Sequence, residues 1–441
     1  MPSLWHTFRH GVHPPDHKEL TASVPIRRLP FPAEIVLPLR QHAGKPARPI
    51  VREGDRVERG DTVAEADGQF SAPIHASAAG RVAAIEFWPH PEGVHAPAIR
   101  IEVERYSPQA LRPRIIPEWE GLTREELIAA VRESGVVGLG GAAFPAHIKL
   151  SPPPECPIDT LVVNGCECEP YLTTDHRTMV EYPDRVQLGI RIMLSCLGAK
   201  RAVVGIERNK PDAIAAITRT LPADLDVSVL DLRVKYPQGA EKLLIQTVLG
   251  RQVPSGKLPM HVGVVVQNVA SLATIAEVFE TGLPLIERIV TVTGRGIRNP
   301  GNLIVPVGTK LRDLLDACGG FTSDAREVVF GGPMMGVAQA DLDVPITKGT
   351  TGVIVLSEDE CKTQQSWACI RCGHCLDACP VFLNPQILGS LAKAGRFEEM
   401  NAHHLADCML CGSCTYVCPS NIPLSQLFVA AKAQVRKLKV A

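Results

Sequence analysis

Several things are scarce in these 441 residues. Aromatic residues make up 5% of the chain and the net charge is −1 at pH 7. A chain so nearly neutral lacks the basic surplus of a nucleic-acid binder. No run of 18 apolar residues occurs, so no membrane-spanning helix is expected. The opening Met-Pro-Ser-Leu-Trp-His-Thr-Phe-Arg-His lacks the apolar centre of a signal peptide, so no secretion leader is expected. Lysine is missing altogether between Lys45 and Lys149. What is plentiful is glycine (36) and proline (37), which implies tight turns and short elements. A hydrophobic share of 45% with 21% charge is that of a globular protein, and the length predicts about three or four domains.

Fourteen cysteines are present, and eight of them form the most informative block of the chain. It reads Cys369-x-x-Cys372-x-x-Cys375-x-x-x-Cys379-Pro380, then Cys408-x-x-Cys411-x-x-Cys414-x-x-x-Cys418-Pro419. Each run matches the bacterial ferredoxin pattern for a [4Fe–4S] cube, whose fourth cysteine ligates the other cluster. Cys369, Cys372, Cys375 and Cys418 are therefore assigned to one cluster, and Cys408, Cys411, Cys414 and Cys379 to the second. Zinc knuckles and disulfides are the alternatives. Zinc is commonly held by two separated pairs, which two runs of four do not resemble. The other six cysteines (Cys156, Cys166, Cys168, Cys196, Cys318, Cys361) are scattered without a disulfide framework, as in a reducing cytoplasm.

Upstream, residues 1–30 read as irregular. His6, His10, His13 and His17 have helical spacing, but Gly11, Pro14 and Pro15 forbid a continuous helix, which favours packing and surface roles over a metal site. Residues 31–110 read as all-β, with Gly54-Asp55 and Gly60-Asp61 turns and an Ala72-Pro-Ile-His-Ala-Ser-Ala-Ala-Gly-Arg-Val82 stretch. The order resembles the barrel-sandwich hybrid of lipoyl and biotinyl carriers. Those attach their cofactor to a lysine, so its absence here implies a structural or interfacial module without a swinging arm.

From 118 to 282 the pattern becomes α/β. A capping box at Thr123 and Glu126 opens a helix that runs to Ser134. Strands are expected at Thr160–Val163, Ala202–Ile206, Val227–Leu230 and Val262–Val266, with helices at 186–197, 211–221 and 240–249. This alternation predicts a mostly parallel, Rossmann-like sheet covered on both faces. Ligands of such sheets sit at the carboxyl ends of the strands, where Asn164, Gln267 and Asn268 stand. Residues 286–356 turn β-rich again and resemble a β-grasp (SLBB-like) domain. Residues 361–430 form the two-cluster domain, helical in its 380–407 spacer, and 431–441 a basic tail.

Gly138-Leu139-Gly140-Gly141-Ala142-Ala143 formally satisfies a dinucleotide fingerprint, but that motif needs a strand before it and a helix precedes it here. What remains is a side-chain-poor loop able to lie against a planar ring or a phosphate. Phe144-Pro145 then starts a helix whose amides favour an anion, with Lys149 in reach. A plain glycine turn is the alternative for this loop taken alone.

The run Gly138–Lys149, then Asn164-x-x-Glu167-x-Glu169-Pro170, Tyr236-x-x-Gly239-x-Glu241 and Gln267-Asn268-x-x-Ser271 resembles the flavin- and NADH-binding subunit of respiratory complex I. The resemblance implies that Gly138, Gly140, Gly141 and Lys149 hold FMN and its phosphate. It places Asn164, Glu167, Gln267, Asn268 and Ser271 on the ribityl chain or phosphate, Glu169 and Glu241 near the nicotinamide, and Phe144 on the adenine. Ala240 and Pro152 depart from that pattern, in place of a glutamate and a second adenine-stacking aromatic.

The whole order resembles one family, the RnfC (RsxC) subunit of the ion-translocating electron transport complex. Its features here include Gly11-Val12-His13-Pro14-Pro15-x-x-Lys18, the barrel-sandwich stretch, Asn164–Leu172 with Asp175-His176-Arg177, Tyr236-Pro-x-Gly-x-Glu-Lys242 and both cysteine runs. The resemblance implies non-covalent FMN, NAD(H) and two [4Fe–4S] clusters. It also implies membrane-embedded and ferredoxin-like partner subunits and a peripheral place on the cytoplasmic face of the bacterial inner membrane. A soluble NADH-dependent corrinoid or cobalamin reductase, and an iron–sulfur adaptor without nucleotide, are the alternatives. The energetics suit the first reading. Two electrons falling 100 mV release about 4.7 kcal/mol, whereas moving one charge against 100 mV costs about 2.3 kcal/mol.

Overall fold

The computed structural model describes residues 6–111, 118–361 and 365–440. Four units follow one another along the chain. The first is a pair of small antiparallel sheets. Strands Glu34–Pro38, His95–Val103, Gly80–Pro89 and Arg56–Val57 form one, and Arg48–Pro49, Thr62–Glu65 and Ile74–His75 the other. Alternate residues point inward, and Ile35, Leu37, Ile74, Ile99 and Ile101 are fully buried between the sheets.

The second unit is a four-stranded parallel sheet in the order Asp226–Leu232, Arg201–Glu207, Thr160–Gly165, Val264–Asn268. The chain moves outward from Thr160–Gly165 on one side, then returns to its other side with Val264–Asn268. That reversal creates a crevice between these two strands at their carboxyl ends, where Asn164 and Asn268 are register partners. Helices Pro183–Leu197 and Val269–Thr281 pack closely on the sheet and on each other. Contact depends on Gly189, where a Cβ would lie 2.2 Å from the Leu272 carbonyl oxygen.

In the third unit, six strands pair in the order Ile26–Arg28, Gly301–Pro306, Glu287–Thr293, Gly352–Ser357, Ala325–Phe330, Val337–Ala338, with helix Leu311–Ala317 against them. The last unit is helical: His374–Ala378, Pro385–Lys393, Phe397–Ala402, Ser413–Tyr416 and Leu424–Val440 enclose a core of Leu388, Met400, Leu405 and Phe428.

Several expectations need correction. The segment before residue 30 is not wholly irregular, because Ile26–Arg28 adds a parallel edge strand to Gly301–Pro306. Three residues carry no readable period, and the partner lies 276 positions away (Ile26 with Asn302). The expected strand Val262–Val266 is a 3₁₀ turn, Pro259–Val262, followed by strand Val264–Asn268. Helices Thr174–Glu181 and Val269–Thr281 have no counterpart among the expected elements; the second has eight buried residues and so shows no polar stripe. The helix after Pro145 is a single turn, Ala146–Lys149. Residues from 431 onward extend helix Leu424–Val440, with Ala431 and Val435 in its core. Met1–Trp5, on which the leader expectation rests, lie outside the described residues.

Candidate functional site

A cavity of about 760 Å³ opens at the carboxyl ends of the parallel sheet, and every unit contributes to its wall. The sheet supplies Asn164, Asn268 and the loop Glu167–Glu169, and the glycine loop supplies Gly140–Ala143. Segments Arg40–Ala43 and His90–Glu92 come from the barrel-sandwich unit, Gly331–Gly332, Thr347 and Gly349–Thr351 from the β-grasp unit, and Met409 and Cys411 from the helical unit.

The glycine loop is held from both ends. The Gly138 amide donates to the Phe144 carbonyl at 2.8 Å and the Ala143 amide to the Gly138 carbonyl at 3.1 Å. Ser271 accepts from the Leu139 amide at 2.8 Å, while the buried Arg288 donates to the Leu139 carbonyl at 3.2 Å. Ser271 thus shapes the loop and does not itself line the cavity. Asn268 caps helix Val269–Thr281 through Oδ1 and donates its amide to Asp175 at 2.6 Å.

Carboxylates dominate the cavity. Glu167 accepts from the Asp175 amide at 2.7 Å and the His176 amide at 3.2 Å, closing the start of helix Thr174–Glu181. Burial pushes Asp175 up to about 7, and the neighbouring Glu167 charge adds to it. Glu169 is likewise raised by burial to about 7, against the opposing pull of the Met334 amide and Lys18. Gly332 fits over it so closely that a Cβ there would lie 2.1 Å from Oε2. Lys18, 6% exposed, braces this loop by donating to the Glu169 carbonyl at 2.9 Å and to the Leu172 carbonyl. Nothing in the residue type marks a lysine as buried, and only its place in the Gly11–Lys18 motif singles it out.

Not every expected residue reaches the cavity. Gly140, Gly141, Asn164, Glu167, Glu169, Glu241 and Asn268 line it; Gly138, Phe144, Lys149, Gln267 and Ser271 do not. Lys149 Nζ is engaged by Glu241 at 2.8 Å and the Val266 carbonyl at 3.0 Å. The amide of Ala146 is used by the Val136 carbonyl at 3.0 Å, and a one-turn helix carries little dipole. The anion site expected at that helix start is therefore weak. Phe144 sits edge-on to Phe70, 6.4 Å between ring centres. Gln267, 2% exposed, leaves its amide nitrogen without a partner. A loop nearly free of side chains, with Asn164 and Asn268 beside it in the cavity wall, fits a polar flat ligand.

The eight cysteines of the block gather into two sets. Cys369, Cys372, Cys375 and Cys418 surround one cavity, and Cys379, Cys408, Cys411 and Cys414 surround another. Each set joins three cysteines of one run to the last cysteine of the other. Among the described residues, no three His, Cys, Asp or Glu side chains converge on a single ion. Thiols spread around a hollow suit a cube of four irons better than one zinc. Cys411 belongs to the second set and to the wall of the large cavity; Cys369 and Cys372 of the first set are exposed and do not line it. The histidines near the N-terminus are apart: His10 packs against Phe382 at 4.5 Å and His17 stacks on Tyr171 at 4.8 Å. No helix of the described residues is long and apolar enough to cross a membrane.

Known families account for all four units. Residues 6–105 match the RnfC barrel sandwich hybrid domain, 131–277 the Nuo51 FMN-binding domain, 289–338 the SLBB domain and 365–422 the 4Fe-4S dicluster domain. FMN and two [4Fe–4S] clusters are accordingly the cofactors of the chain. A solved NAD⁺-reducing [NiFe]-hydrogenase shares the fold at 22% identity and a TM-score of 0.50, over 65% of this chain and 55% of that one. A subunit of the proton-translocating ferredoxin:NAD(+) oxidoreductase complex of Clostridium ljungdahlii is 44% identical over 89% of this chain and 86% of its own length. Its Na(+)-translocating counterpart from Acetobacterium woodii is 40% identical over 91% and 90%. The corresponding member of the ion-translocating oxidoreductase complex of Rhodobacter capsulatus is 41% identical over 97% and 83%. With all four domains in order and such identity along nearly its full length, the chain belongs to the RnfC family of ion-translocating oxidoreductase complexes.

Proposed function

We propose that this chain passes electrons between NAD(H) and the two clusters through FMN, as the peripheral subunit of a membrane-bound, ion-translocating ferredoxin:NAD oxidoreductase. The observation that carries this reading is the shared wall of one cavity, in which the glycine loop and the strand ends face Cys411 of a cluster-binding loop. FMN, when bound, supplies the exchange between a two-electron hydride and single electrons that clusters require.

Each residue then has a physical task. Gly140 and Gly141 leave the cavity wall flat for the flavin ring. Asn164 and Asn268, at the ends of neighbouring strands, offer polar contacts to the ribityl chain and phosphate. Glu169, buried and drawn to a pKa near neutrality, stands beside the nicotinamide. Glu241 lines the cavity on the nicotinamide side and holds Lys149 behind the wall. Glu167 fixes the helix carrying Asp175. Cys379, Cys408, Cys411 and Cys414 would hold the cluster beside the cavity, and Cys369, Cys372, Cys375 and Cys418 the more exposed one, each supplying single-electron exchange.

A pump needs membrane-embedded subunits and ferredoxin-like partners on the cytoplasmic face, and both belong to this proposal. Anaerobically purified chain tests the core of it. It should carry one FMN and about eight irons and eight sulfides by ligand count, and bleach with NADH. A preparation that takes up FMN and iron yet stays oxidised with NADH would overturn the nucleotide role.

A further inference from the structure

Five carboxylates of the described residues line the large cavity: Glu92, Glu167, Glu169, Asp175 and Glu241. Facing them, among those same residues, is a single arginine or lysine, Arg40, and it comes from the barrel-sandwich unit. A site that takes phosphate-bearing nucleotides has to offset that negative charge. Lys149 does not do so from within the cavity, since it sits behind the wall on Glu241.

Arg40 is placed by a small built device. His90, 6% exposed, bridges two loops: its Nδ1 accepts from the Glu92 amide at 3.2 Å, and its Nε2 lies 3.0 Å from the Arg40 carbonyl. A ring nitrogen that accepts from an N–H carries no proton, so the other nitrogen is the donor to that carbonyl. The ring therefore fixes both backbones. The Arg40 loop is also anchored to the glycine loop, because the Ala43 amide donates to the Ala143 carbonyl at 3.0 Å. Among the described residues the guanidinium pairs with Glu92 alone, at 3.3 Å, with both side chains 52% exposed. Ion pairs so exposed add little stability, so Arg40 can exchange its carboxylate for a phosphate at small cost. The half-exposed position sets it at the mouth of the cavity, where an exchanging ligand enters, rather than over a resident flavin.

We infer that Arg40 binds the diphosphate of the nicotinamide dinucleotide, so that the barrel-sandwich domain supplies the anion contact of that site. This rests on the nucleotide reading of the cavity given above. Glu92 competes with the ligand for the guanidinium, and His90 is the positioning residue.

Calorimetric titration of the purified, FMN-loaded chain with ADP-ribose tests it, since this probe has the diphosphate but no nicotinamide. Arg40→Ala should weaken ADP-ribose by about tenfold or more, as for a lost charge-assisted contact, with FMN content unchanged. Arg40→Lys should fall between. Glu92→Gln should bind as tightly as wild type or tighter, because it frees the guanidinium. Unchanged affinity in Arg40→Ala would overturn the inference. So would weakening in Glu92→Gln equal to that in Arg40→Ala, which would make the pair structural. Loss of FMN from Arg40→Ala would assign the contact to the flavin phosphate instead. If wild-type chain binds neither ADP-ribose nor NAD⁺, the nucleotide reading itself falls, and Arg40 with it.

Discussion

The hydroxyl of Tyr236 donates a 2.8 Å hydrogen bond to the backbone carbonyl of Cys411, and lies 3.4 Å from a carboxylate oxygen of Glu169. One fully buried ring thus touches both the proposed nucleotide side of the cavity and a cluster-binding loop. Val12 from the N-terminal segment bridges to Tyr236 in antiparallel fashion, its amide donating to the Tyr236 carbonyl at 2.9 Å, and the Gly11 amide reaches the Ala378 carbonyl at 3.2 Å. The stretch before residue 18 therefore laces the flavin unit to the cluster unit.

Tyr236→Phe removes the hydroxyl and keeps the ring. The loss of one buried hydrogen bond costs about 0.5–1.5 kcal/mol, which leaves the fold intact. FMN and iron contents should stay at wild-type values, and well above pH 7, where Glu169 is ionised with or without this bond, flavin reduction by NADH should keep its rate. Reduction of the clusters should slow, because the Cys411 loop is no longer held against the cavity. Stopped-flow traces at flavin and cluster wavelengths separate the two steps. Equal slowing of both, or of neither, would count against the role.

Cys379→Ser should damage the cluster whose other ligands are Cys408, Cys411 and Cys414, although these lie about thirty positions downstream. Cys379 lines their cavity and not that of Cys369, Cys372 and Cys375. Electron paramagnetic resonance of the reduced variant should retain the signal of the other cluster. Loss of the Cys369-type signal alone would show the ligand sets to be uncrossed.

Glu169 predicts a pH dependence. Its pKa rises from 4.5 to about 7 because burial penalises the charge. The folded chain then holds this proton more tightly than the unfolded one. Its stability contribution is full below about pH 4.5 and is lost as pH climbs through 7. In the reaction, the carboxylate present above pH 7 would favour the cationic oxidised nicotinamide. Flavin reduction by NADH should therefore accelerate between pH 6 and 8, and Glu169→Gln should be slower and lose this step. Asp175 titrates in the same window, also raised to about 7. A step that persists unchanged in Glu169→Gln would transfer the effect to Asp175.

The sequence made some parts legible because their physics is local. Cysteine spacing determines which thiols share a loop, the Thr123 capping box is a four-residue event, and alternation in Ile99–Val103 reports a buried face. Features that depend on distant partners were not readable. Lys149 reads as a free cation until Glu241, 92 positions away, is seen on it. Ser271 reads as a ligand contact, yet its hydroxyl serves the Leu139 amide. Phe144 points to adenine by resemblance, but it lies outside the cavity wall against Phe70. Arg40 and His90 lie in loops without period or motif, and only the assembled cavity brings them to the site.

Gly140→Val examines the flavin site itself. The Gly140 backbone is not in the left-handed region, and an added Cβ would meet the Asn268 side chain at 3.4 Å, an ordinary contact. The backbone therefore tolerates a side chain here, and circular dichroism with iron content checks that the variant folds. The branched methyls, however, occupy the cavity wall on which a flat ring must lie. Purified Gly140→Val should therefore contain almost no FMN while keeping about eight irons, since the cluster ligands belong to a separate helical unit. Gly141 is the harsher position, because its φ of +98° already excludes a side chain, and loss there could reflect the backbone alone. Flavin extraction with iron analysis on the same sample decides the matter. Should Gly140→Val retain stoichiometric FMN and bleach with NADH at the wild-type rate, the flavin would have to bind elsewhere than over the Gly140–Gly141 loop.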